Sequence, residues 1–443
     1  MSTPSVIHDH KTVKRNIAAG AANSFFVEAA MTTSDPGTVL TLFIRELTGS
    51  TFLAGVVPSL RYFGWLAPQF LAAGRMQRLR RFLPAVQALE AVRSIGYILA
   101  AAAIAFLSRS HPELVVILFA TVFMATRITA GCSAVARNEI IARIVPEDQR
   151  AGILSIRRIA GGIAGLLAGF LISYVLDERT ASFPGNYALL MLISGISFAL
   201  AIASLSAVVE PDLPIRQQSR SMGEQIRQAP LLLRQDRRYA LYIGVRMCSA
   251  GMTLAMPFFI LFATDVLGAP ASLAGFFISA RTLFRILSNA YWGRRCQEAG
   301  SAAVLTAGAA LGVLAPLLVV VFAAVVGFMG GDPPLWLAWA FGLVFILQGL
   351  AGAAEGLGQI AYLYDIAPPE DRPSYYGLAN TLLGPLYFLP AAGGALIALV
   401  GYVPIFVTAA LMMAAALVLC TRLEAQDADT GEARRIGVPE QGA

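Results

Sequence analysis

The chain reads as long apolar runs separated by short polar joints, and the runs recur almost to its end. Each is roughly 20 residues or longer, enough for one helix to cross a bilayer. None alternates polar with apolar as a barrel strand would, and in lipid a helix satisfies its own backbone hydrogen bonds. Twelve spans follow. The first half gives 17–44, 50–72, 83–107, 112–135, 152–176 and 187–209, and the second gives 239–264, 270–292, 302–328, 335–361, 375–400 and 402–421. The pattern predicts an all-α membrane protein of twelve transmembrane helices. One long polar connector, 210–238, divides it into six-helix bundles at 1–209 and 239–421, and a polar tail at 422–443 is expected to be disordered. Within the connector, "SMGEQIRQAPLLL" could form a short interfacial helix, but a tether is the simpler reading.

Composition agrees with the pattern. Hydrophobic residues make up 57% of the 443 and charged residues 14%, against about a quarter charged in soluble domains. The charge distribution then orients the spans. With both termini in the cytoplasm, the inner side carries Lys11, Lys14, Arg15, the loop "GRMQRLRR", the six connector arginines, Arg294, Arg295 and Arg372. The outer side keeps only Arg45, Arg109 and Arg179, which is the positive-inside asymmetry. That asymmetry accounts for the net charge of +6 through anionic lipid, without nucleic acid. The expected location is the inner (plasma) membrane. "HDHKTVKRN" leads into a run too long for a signal-peptide core, so the first span is expected to direct its own insertion.

The sequence also repeats itself. "LAGVVPSLR" at 53–61 is answered by "LAGFFISAR" at 273–281, and "LFIRELTG" at 42–49 by "LFATDVLG" at 261–268. Further on, "IVPEDQRAG" (144–152) is matched by "APPEDRPSY" (367–375) at nearly the same shift. Matches at one shift, all in corresponding positions, indicate a duplication of six spans. Equal orientation of the copies gives two bundles related by an axis along the membrane normal, the parallel repeat of the major facilitator superfamily. Arg61 and Arg281 are twins in this duplication.

The chain resembles that superfamily in local motifs too. "RITAGCSA", with Arg127 and Gly131, is similar to the Arg-x-x-x-Gly signature of its fourth span, commonest among proton-coupled members. "YWGRRCQEAG" resembles its loop motif Gly-x-x-x-Asp-Arg-x-Gly, with Gln297 where the aspartate belongs. Gly384-Pro385 is similar to the glycine-proline element of its antiporters, although that element lies in the fifth span and this one in the eleventh. The resemblance implies that spans one, four, seven and ten line a central cavity. It thereby points to Glu28, Arg127, Arg246 and Glu355.

An ionisable residue at membrane depth costs about 2.5 kcal/mol or more unless it has a partner or an aqueous cavity. The spans carry Glu28, Asp35, Arg61, Glu90, Arg93, Arg127, Arg246, Arg281, Arg285 and Glu355. Glu28, Arg127 and Glu355 are the expected transport path and proton-coupling residues. Glu28 reads equally as a carrier or as a buried acid paired with a neighbouring arginine. Arg127 reads as tuning that acid, as holding an anion, or as a packing arginine. Asn23, Asp35, Gln348 and Gln359 are candidate polar groups of the cavity, although for Asp35, beside Pro36 and Gly37, a structural role is favoured. Arg246 lies close enough to its helix start to snorkel. Arg61, Arg281, Glu90 and Arg93 are read as gating or interbundle charges, with Glu90 and Arg93 three apart and able to neutralise each other.

No phosphate-binding loop and no nucleophile–base pattern is visible, so neither an ATP-driven pump nor an enzyme is expected. Cys132, Cys248, Cys296 and Cys420 are widely spaced and read as small apolar residues, with no metal and no cofactor implied. The reading is a secondary transporter that moves a small molecule by alternating access, coupled to protons and acting as a monomer. Export is favoured over proton-coupled uptake of a small metabolite, anionic metabolites included. A membrane protein of the same fold in lipid handling, assembly or sensing is the alternative of another class.

Overall fold

The computed structural model describes residues 10–61, 81–144, 150–210, 236–368 and 372–436. Every regular element among them is helical. The first half comprises α1 (His10–Thr33), α2 (Val39–Thr48), α3 (51–61), α4 (Leu83–Leu107), α5 (Pro112–Ile144), α6 (Arg150–Val175) and α7 (Gly185–Leu205). The second comprises α8 (Arg237–Asp265), α9 (Leu273–Ala299), α10 (Ser301–Met329), α11 (Leu335–Ala340), α12 (Gly342–Ile366), α13 (Arg372–Leu383), a 3₁₀ turn (Gly384–Phe388), α14 (Leu389–Val400) and α15 (Val403–Ile436). Nine described helices are long and apolar enough to cross a membrane. The other three spans are α1 with α2, the one that begins with α3, and α9. Two of these, α1–α2 and α9, are interrupted by charge: Glu28 and Asp35 in the first, Arg281 and Arg285 in the last.

The helices form two bundles. In the first, α1 packs on α6 and α7, and α4 on α5 and α7; in the second, α10 packs on α12 and α15, α8 on α15, and α9 on α12. Phe106, Phe170, Phe328, Leu399 and Leu411 point outward and exposed, the arrangement of a surface whose solvent is hydrocarbon. Three departures from the sequence reading matter. The first span begins earlier than expected and breaks at residues 34–38, where Pro36 cannot donate to the helical ladder. The eleventh span is likewise broken, by the 3₁₀ turn at Gly384-Pro385. The tail expected to be disordered continues α15 as helix to Ile436. Arg75, Arg78, Arg80 and the connector from 211 to 235 lie outside the described residues.

The bundles meet through glycine. On one side α6 crosses α9, where a Cβ on Gly169 or Gly275 would fall on the other helix's backbone or on the Ser279 or Ser173 side chain. On the other, α3 crosses α14, where a Cβ on Gly55 would fall on the Pro390 carbonyl and one on Gly394 on the Thr51 carbonyl. Small residues allow this close approach. Gly55 and Gly275 are duplication twins, so the two contacts are copies of one device. Both lie toward the membrane face opposite the termini, called here the far face. At the terminus face the described ends of α6 and α9 have largely exposed side chains.

Candidate functional site

Between the bundles lies a cavity of about 360 Å³. Its walls come from α1 (Glu28, Met31, Thr32), the break after α1 (Asp35), α3 (Arg61), α8 (Met252, Met256), α9 (Ile278, Arg281, Thr282, Arg285) and α12 (Gln348, Gly352). A second cavity of about 290 Å³ adjoins it at Met252 and Met256 and is lined by Arg246, Glu355 and Gln359 with Tyr387.

Asp35 lines the first cavity at its far end. The break in the helix turns its carboxylate across the interface, where Oδ2 accepts from Arg281 Nη2 at 2.9 Å. Arg61 Nη1 approaches Oδ1 at 3.7 Å. The twin arginines of the duplication, one from each bundle, therefore close on a single acid. The same carboxylate ties its own turn together by accepting from Thr38 Oγ1 at 3.1 Å and the Gly37 amide at 3.4 Å. Asp35 is 5% exposed, so two opposite charges are what keep an ionised group there tolerable.

Glu28 sits one turn and more toward the terminus face, in a groove floored by Gly161 and Gly165 of α6. Its Oε1 is 3.5 Å from Arg285 Nη2, again across the interface. Both side chains are open to the cavity, at 38% and 48% exposure. Glu28 is thus wetter than a low-dielectric acid. At the far rim Arg45 of α2 donates from Nη2 (2.9 Å) and Nε (3.2 Å) to Asp265 Oδ2 at the end of α8, and Tyr402 donates to the same oxygen at 2.7 Å. Arg45 and Asp265 belong to the twin segments "LFIRELTG" and "LFATDVLG", which touch each other across the bundle axis.

In the second cavity Glu355 is held between α12 and α10, where Gly308 and Gly312 leave it room. Its Oε1 is buried and has no hydrogen-bond partner among the described residues. Arg246 donates to Tyr242 Oη at 3.1 Å, and the Tyr242 hydroxyl donates to the Gln359 carbonyl at 3.1 Å.

Other expected site residues lie elsewhere. Arg127 does not line the cavity: it is 3% exposed inside the first bundle, donates to Tyr97 Oη at 2.5 Å and lies over the Phe123 ring. Glu90 and Arg93 form a buried 2.7 Å pair within that bundle, with Ser133 donating to Glu90 at 2.8 Å, so they are not interbundle charges. Asn23 is also interior, donating to the Ala201 carbonyl of α7 at 3.0 Å. All four face a neighbouring helix of their own bundle or a partner on their own helix, which depth in the membrane alone does not reveal. Conversely, Arg285 and Arg246 line the cavities. Arg285 stands one turn beyond Arg281, a spacing that could have marked it. Met252 and Met256 carried no sequence signal beyond hydrophobicity.

The described helices thus form two bundles that meet toward the far face and hold a charged cavity between them. Residues 241–439 match the family described as Major Facilitator Superfamily. That match covers the second half of the chain, and the described helices of both halves have the two-bundle arrangement. Among solved structures, the nucleoside transporter NupG in its D323A form is similar over 93% of this chain and 99% of its own, with a TM-score of 0.69 and 15% identity. A D-xylose-proton symporter is similar over 92% and 96%, at TM-score 0.68 and 15% identity. A bacterial homologue of the iron transporter ferroportin, in its inward-facing state, is similar over 94% and 99%, at TM-score 0.66 and 12% identity. No curated protein matches the sequence. At such identities these structures speak for the fold alone.

Proposed function

We propose that this protein is a secondary active transporter of the plasma membrane, with both termini cytoplasmic, that exports a small molecule by alternating access coupled to protons. It acts as a monomer, its halves 1–209 and 239–421 rocking about the connector 210–238. The observation that carries the reading is the Asp35–Arg281 bond, which joins the bundles on the far side of a cavity lined from both. A bond of that kind holds one face shut and must be released for the other state to form. Protonating Asp35 removes the charge that holds Arg281, and Glu28 and Glu355 are further carboxylates within reach of the cavities. The cavity lies on the terminus side of the closure, where the basic loops put the cytoplasm, so this state is the one that would load an exporter from inside.

The test is flux into proteoliposomes under an imposed pH gradient, with Glu28→Gln, Asp35→Asn and Glu355→Gln beside the native protein. Proton-driven movement of a small solute, lost in at least one of the three, is the expected result. Flux indifferent to the gradient and to all three substitutions would refute the coupling. Labelling that found the connector outside the cell would reverse the direction.

A further inference from the structure

We propose that the first cavity binds an organic anion, a carboxylate-sized oxyanion on an apolar body, with Arg285, Arg281 and Gln348 as its donors. The inference names the substrate class of the transporter proposed above and rests on that reading. Three observations carry it. First, Arg281 and Arg285 stand one helical turn apart on α9 and face the same cavity. A guanidinium has five N–H donors in a fork that matches a carboxylate. Among the described residues, Arg285 spends one of them on a 3.5 Å contact with Glu28, and its side chain is 48% exposed.

Second, Gln348 of α12 lines the same space, and its Nε2 is buried with no acceptor among the described residues. An unmet buried donor is a standing cost that an incoming oxygen removes. Together these groups present guanidinium and amide N–H donors to the cavity. Third, the described lining carries three guanidinium groups, those of Arg61, Arg281 and Arg285, and two carboxylates, Glu28 and Asp35. Arg285 meets its acid only at 3.5 Å, so an anion can take its donors without displacing a close ion pair. The apolar body has its own place against Met31, Met252 and Met256, whose flexible thioethers adapt to varied shapes. The volume of about 360 Å³ is that of a small-ligand site.

The test uses the full chain in detergent micelles near neutral pH, with three probes on one apolar body: phenylbutanoate, phenylbutanamide and phenylbutylamine. Calorimetry and thermal shift read their binding. The carboxylate is expected to bind at least about tenfold tighter than the amide or the amine, a difference of about 1.4 kcal/mol. Arg285→Gln should abolish that preference and Arg285→Lys should keep most of it. Gln348→Leu should weaken all oxygen-bearing probes while the preference for charge survives. The proposal is overturned if the amine or amide binds as tightly, if none of the three binds, or if Arg285→Gln keeps the full preference. Counterflow of the bound probe in liposomes separates the two readings. Binding without movement overturns the transporter and leaves the anion site. Movement of a neutral or cationic solute, without anion preference, does the reverse.

Discussion

Replacing Asp35 by asparagine takes the charge out of the interbundle lock and leaves its shape. The asparagine oxygen can still accept from the Gly37 amide, and its amide nitrogen can donate to the Thr38 hydroxyl, so the turn after α1 survives. What changes is the hold on Arg281. Exposed ion pairs contribute about 0–1 kcal/mol, whereas stranding one member of a buried pair costs about 3–5 kcal/mol. The Asp35 side chain is 7% exposed and that of Arg281 20%, and Arg281 lines the cavity. The effect on closure therefore falls between those limits, at about 2 kcal/mol, or roughly a 30-fold shift toward opening at the far face. Spin labels at Thr180 and Asp332, both exposed in far-face loops of opposite bundles, would read the separation. Native protein should show mainly the short distance, and Asp35→Asn a large long-distance population. Arg281→Gln should shift the distribution similarly, and the double variant little further, because the two residues share one interaction. An unchanged distribution in Asp35→Asn, with Arg281→Gln alone opening the protein, would show that the acid is not what Arg281 holds.

Further substitutions test the glycine contacts and the other ion pairs. Gly275→Ala puts a methyl group onto the Gly169 carbonyl and should cost about 1–3 kcal/mol of thermal stability, whereas Gly293→Ala, with open space around it, should cost nothing measurable. Glu90→Gln strands Arg93 inside the first bundle and should lower stability by about 3 kcal/mol; adding Arg93→Met should recover most of it, as thermal unfolding would report. Asp265→Asn unfastens Arg45 and Tyr402 at the far rim. With side chains 31% and 25% exposed, the Arg45–Asp265 pair is worth up to about 1 kcal/mol, and the variant should differ least from native protein at high salt.

The architecture was legible because membrane solvent writes itself into sequence as runs, and duplication as recurring words. The spans and the twin arginines both come from those signals. The site was legible only in part. Asp35 was read chiefly as structural, because nothing local shows that a broken helix aims its carboxylate at an arginine far along the chain. Arg127 was assigned to the cavity through its span. Rotation about that helix instead turns it toward Tyr97 and Phe123, and rotation cannot be read without knowing which neighbour each face meets. Glu90, Arg93 and Asn23 failed for the same reason. Arg285 was visible as a charge, but its freedom depends on the loose geometry of one contact.

The convergence of Arg61 and Arg281 on one carboxylate has a consequence for the halves as separate pieces. At the point of α8 equivalent to Asp35 the chain has Leu254 and Ala255, both buried and apolar. The duplication kept the cation in both copies and the acid in one. A pair of second halves would bring two copies of Arg281 together with no carboxylate between them, while a first half offers the missing charge. Expressed as two fragments, the halves should therefore choose each other over themselves. A fold built by copying has become, at this one residue, a heterodimer on a single string.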